Sequence, residues 1–109
     1  MSDWSTDTPV LDLLAAMTAQ SFEATTLDAE QTMLVRIAAL VAVDAPPASY
    51  VMNLGAAAEI GIDAEQIRGV LAAVAPIVGT ARVAAATGNI VRALGVALEL
   101  AELEEEEDA

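Results

Sequence analysis

Few side chains in this sequence are equipped for chemistry. There is no cysteine and no histidine, which removes thiol nucleophiles, disulfides, thiolate metal sites and imidazole acid–base catalysis together. All four basic residues are arginines, Arg36, Arg68, Arg82 and Arg92, and a guanidinium holds its charge without exchanging protons near neutrality. The polar side chains best placed to meet in a pocket are Ser49, Tyr50, Asn53 and Asn89, with Arg36 or Arg82 supplying positive charge. Such a set can hold a carboxylate or carbonyl by hydrogen bonds, but a serine with no partner base is a poor nucleophile. The simpler reading gives the same residues packing roles: Ser49 caps a helix, Tyr50 packs with its hydroxyl at a rim, and Asn53 satisfies a buried backbone group. Acidic residues gather in helix starts and at the C-terminal end, without the spacing of a calcium loop, and no strand precedes a Gly-rich phosphate loop. Met17, Met33 and Met52 read as core gap-fillers. No metal site and no cofactor is expected.

Helices have to position these groups. The chain has 109 residues, 56% of them hydrophobic and only 3% aromatic; that is one domain rich in alanine, the strongest helix former. Pro9 follows Thr8 as first helical residue after its N-cap, and a helix over about Pro9–Ala24 sets Val10, Leu13, Leu14, Met17 and Phe22 on one side. Asp28 with Gln31, and Asp63 with Gln66, each spell a capping box. They open helices near Ala29 and Ala64. The first is apolar nearly all round apart from Arg36 and should be central; the second carries Ile67, Val70, Leu71 and Val74 as a clean stripe and ends or kinks at Pro76 and Gly79.

Between them a helix over about 47–60 has no charge from Asp44 to Glu59, so most of it should be buried, with Gly61 as its left-handed C-cap. The smooth run Gly55 to Ala58 suits close approach of another backbone. A final helix from Thr80 toward Glu104 carries two stripes, Val83, Ile90, Leu94 and Leu98, then Val96, Leu100 and Leu103; Gly88 and Gly95 read as close-packing points. The expected division is an acidic arm over 1–8, a helical domain over 9–103, and an acidic tail over 104–109 that frays because its charge opposes the helix dipole.

Net charge is −13, and four scattered arginines cannot overcome the repulsion of phosphate, so nucleic acid and anionic membrane surfaces are excluded as partners. The longest uncharged run, 45–58, is too short to span a bilayer, and MSDWSTDTPV has neither the basic nor the apolar region of a signal peptide. A cytoplasmic protein is expected. So much apolar surface on so small a chain points to burial between subunits.

Over about Leu27–Leu94, the order of apolar helix, short turn, the helix within DAPPASYVMNLGAAAEIG, glycine and capped helix resembles the carboxymuconolactone decarboxylase and AhpD-like alkylhydroperoxidase family. The resemblance implies an orthogonal bundle of about five helices and a homo-trimer or homo-hexamer. In the family's redox members two cysteines three apart are followed after four residues by a histidine, and eight residues later by a glycine. Counted back from Gly61, those positions are Pro46, Ser49 and Asn53, and the family's upstream glutamate falls at Met33. None of the four can do the redox work, so thiol peroxidase activity is not expected. The resemblance then implies a non-redox homo-oligomer with a structural, scaffolding or small-ligand-binding role, its ligand a small acidic molecule. Two alternatives stand beside it: a decarboxylase-like lyase or hydrolase acting on a small carboxylate or lactone, and a partner-binding module using the Trp4 arm or the acidic tail.

Overall fold

The computed structural model describes residues 8–108 and contains five helices: α1 (Pro9–Ala24), α2 (Ala29–Ala42), α3 (Pro47–Glu59), α4 (Ala64–Val78) and α5 (Thr80–Asp108). The Trp4 arm lies outside the described residues, as do the side chains of Val96, Leu98, Leu100 and the Glu104–Asp108 run. Both capping boxes form. The Asp28 carboxylate accepts from the Gln31 backbone N–H at 2.7 Å while the Asp28 N–H donates to Gln31 Oε1 at 3.2 Å. Asp63 and Gln66 repeat the exchange at 2.9 and 3.0 Å. Each box satisfies N–H groups that a helix start leaves without partners. Thr8 holds the N-cap position of α1 with Pro9 after it, but its side chain makes no cap bond; its hydroxyl donates to Asp12 Oδ1 at 3.3 Å.

α2 and α3 end alike. At α2, the Asp44 N–H reaches Val41 O and the Ala45 N–H reaches Leu40 O, at 3.2 and 3.0 Å. At α3, Gly61 and Ile62 do the same to Ala58 and Ala57, at 3.1 Å each. Both are Schellman closures, which need one residue in the left-handed region. Gly61 supplies it at φ 90 without cost, whereas Asp44 adopts φ 55, a conformation that short polar side chains tolerate best after glycine. Gly79 at φ 91 separates α4 from α5; α4 continues past Pro76 to reach it.

Two buried clusters hold α2 to α5 together. Val41, Ala45, Tyr50, Ala86, Ile90 and Ala93 join α2, α3 and α5. Met33, Ile37, Ala57, Ile62 and Val70 join α2, α3 and α4. α2 serves both clusters, so it is central as its sequence implies. α3 is less buried than its uncharged sequence implies: only Tyr50 and Ala57 are buried, and Met52 is 78% exposed. One face of α3 fills the core, and a body of four helices has nothing to lay over the other. For the same reason Gly55, Gly88 and Gly95 are not close-packing points within the chain; a Cβ built on any of them meets open space. α5 runs through Glu104 to Asp108, glutamate being a good helix former.

α1 stands apart. It has no buried residue, and Val10, Leu13, Leu14 and Met17 are each more than half exposed.

Candidate functional site

A cleft of about 240 Å³ opens where α1, α2 and α3 meet, lined by Thr18, Phe22, Met33, Arg36, Met52, Asn53 and Ala56. The spacing of these residues builds it: Thr18 and Phe22 are one turn apart on α1, Met33 and Arg36 on α2, and Met52 and Ala56 on α3. Arg36 is the organising side chain. Its Nη2 donates to Ser21 Oγ at 3.0 Å and to the Thr18 carbonyl at 3.4 Å, and its guanidinium lies 4.0 Å from the centre of the Phe22 ring, within cation–π range. These bonds leave further N–H donors on the guanidinium. Asn53 donates from Nδ2 to the Ser49 carbonyl at 2.8 Å, satisfying a helix carbonyl and keeping Oδ1 as an acceptor. Beside them sits the buried thioether of Met33.

The six polar residues singled out from sequence are therefore divided. Arg36 and Asn53 line this cleft. Arg82 and Asn89 instead reach from α5 to the α2–α3 turn, where Arg82 Nη1 donates to the Ala42 carbonyl at 2.6 Å and Asn89 Nδ2 to the Ala45 carbonyl at 3.2 Å. Arg82 so braces a carbonyl that the end of α2 leaves open, and Asn89 braces one in the turn that follows. Tyr50 is fully buried among apolar neighbours, and among the described residues its hydroxyl finds no partner; it does not sit at a rim. Burial, and next the negative charge of Asp44, push its phenol above the usual value. Ser49 is half-buried on α3 and does not cap it; Pro46 holds the cap position. Sequence reasoning missed Thr18, Phe22, Met52 and Ala56. Their four-residue spacings marked helix faces, but nothing local showed that those faces converge.

Chemically the cleft offers one fixed positive charge, an amide and apolar walls. No side chain lining it exchanges protons near neutral pH. It is suited to holding an anion or carbonyl compound, with no nucleophile or base to act on it.

The body is all-helical among the described residues, and the cleft holding Met33, Arg36 and Asn53 lies between its first three helices. The chain belongs to the carboxymuconolactone decarboxylase family, whose model matches residues 9–91. No curated protein and no solved structure matches it.

Proposed function

We propose that this family member is a non-redox homo-oligomer that binds a small acidic ligand in the Arg36–Asn53 cleft and does not turn it over. The observation that supports this most is the composition of the cleft: its polar groups are the Arg36 guanidinium, the Asn53 amide and the Thr18 hydroxyl, set among apolar walls, and the resemblance puts Pro46, Ser49, Asn53 and Met33 at the family's reactive positions. A ligand carboxylate accepts from Arg36, Asn53 Oδ1 takes a hydroxyl or amide hydrogen, and Met33, Met52 and Phe22 pack on its carbon skeleton.

The exposed stripe of α1 supports the assembly. Four large side chains at helical spacing are each more than half exposed, and a neighbouring subunit is the partner that would remove them from water. Trimers, or hexamers built from them, are the forms the family resemblance implies. α1 also carries Thr18 and Phe22 into the cleft, so holding α1 against a neighbour fixes the cleft's third wall and links assembly to binding.

Titration of the purified protein with a γ-lactone carboxylate, followed by amide chemical shifts, tests the reading. Saturable shifts around Arg36 and Asn53 are expected, with affinity falling about tenfold or more in Arg36→Gln, as for losing a hydrogen bond to a charged group. Product appearing in the same tube would establish instead the lyase or hydrolase reading, which family membership favours. Robust peroxidase turnover with a dithiol reductant would end both.

A further inference from the structure

A second cleft lies on the opposite flank of α3. We propose that it binds an aliphatic monocarboxylate, with the chain in an apolar trough and the carboxylate on Arg68. Three helix faces form the walls: Leu54, Ala57 and Ala58 of α3; Ala64, Ile67, Arg68 and Leu71 of α4; and Thr87, Ile90, Val91 and Leu94 of α5. The last two sets repeat i, i+3, i+4, i+7, so each helix turns one continuous stripe toward the same space. Ile62 and Asp63, between α3 and α4, complete the lining.

The volume, about 250 Å³, lies between the ~150 Å³ that admits benzene and the ~300 Å³ at which drug-sized pockets begin. That suits one flexible hydrocarbon chain. It is too small for a helix, whose diameter with side chains is about 10 Å.

The polar groups choose the head group. Thr87 spends its hydroxyl on the Val83 carbonyl at 2.9 Å, and Asp63 accepts from the Gln66 N–H as the cap of α4. Arg36, Arg82 and Arg92 each have an acceptor in the chain. Among the described residues Arg68 has none, and it stands at the trough's exposed edge. A cation at the mouth of an apolar trough asks for an amphiphile with a negative head. The net charge of −13 disfavours multiply charged anions such as phosphates and leaves the single carboxylate as the best fit.

The test is isothermal titration of the full chain with sodium octanoate, hexanoate and 1-octanol. One octanoate per subunit is expected. Hexanoate should bind roughly tenfold to fifteenfold more weakly, because each methylene buried is worth about fourfold. Octanol to the wild type, and octanoate to Arg68→Gln, should both be at least about tenfold weaker, for loss of the charged hydrogen bond. Ala58→Leu fills the trough and should abolish binding with the helical circular dichroism unchanged. Arg36→Gln should leave octanoate affinity unchanged, which separates this site from the α1–α3 cleft. Equal affinity for hexanoate and octanoate would overturn the proposal. So would sensitivity to Arg36→Gln in place of Arg68→Gln, or protection of the trough amides from hydrogen exchange by a neighbouring subunit in the absence of octanoate.

Discussion

α1 and α2 have similar compositions and opposite fates. Both are apolar helices of about the same length, yet α2 buries Thr32, Met33, Ile37 and Val41 while α1 buries nothing. α2 is capped by a reciprocal box and closed by a Schellman turn braced by Arg82 and Asn89. α1 is tied to the body by Arg36, through Ser21, Thr18 and the Phe22 ring. An apolar stripe states that a helix must be covered, and says nothing of whether its own chain does the covering.

This contrast is open to direct attack. Ile37→Ala should have the largest effect, lowering the stability of the body by about 2–5 kcal/mol through the cavity it leaves, as urea unfolding will show. Leu14→Ala removes comparable apolar bulk, but should change the unfolding of the dissociated subunit by no more than about 0.5 kcal/mol. Its effect should appear in the concentration dependence of assembly. If Leu14→Ala cost as much as Ile37→Ala in the dissociated subunit, α1 would belong to the core and the contrast would fail.

Arg36→Ala should act on α1 alone. Loss of the ring contact and the hydrogen bonds should lower the local opening free energy of α1 by about 1–2 kcal/mol, read as faster amide exchange there than in α2.

Tyr50→Phe sharpens the comparison from the body's side. A buried hydroxyl without a partner is a burden, so its removal should leave stability unchanged or raise it by about 1 kcal/mol. The pH dependence follows from the direction of the shift. With its phenol held above the ordinary 10.0, folded Tyr50 keeps its proton where the unfolded chain has lost it. Stability is therefore full below that value and falls as pH rises past it. Tyr50 is the chain's one tyrosine, so Tyr50→Phe should flatten this alkaline limb in thermal melts.

The devices that define the helices were legible because they are local. Asp-x-x-Gln at residues 28 and 63 and the glycine at 61 state where helices begin and end without reference to anything distant. The candidate pocket was only half legible, because it depends on helix rotation and on contacts far along the chain. Tyr50 and Asn53 lie about 60° apart around α3, enough to send one into the core and the other to the cleft wall. Arg82 meets its acceptor at Ala42, forty residues earlier, and no pattern near either residue announces that pairing. The same holds for Thr18 and Phe22, whose place in the cleft depends on how α1 crosses α2.

Native mass spectrometry of the purified protein beside the double variant Leu14→Glu, Met17→Glu tests the central claim most directly. A closed oligomer is predicted for the wild type, with any small acid retained in the cleft appearing as added mass in step with subunit number. The double variant should be monomeric and still helical. A wild-type protein that is monomeric at micromolar concentration, or a double variant that assembles as the wild type does, would contradict the account.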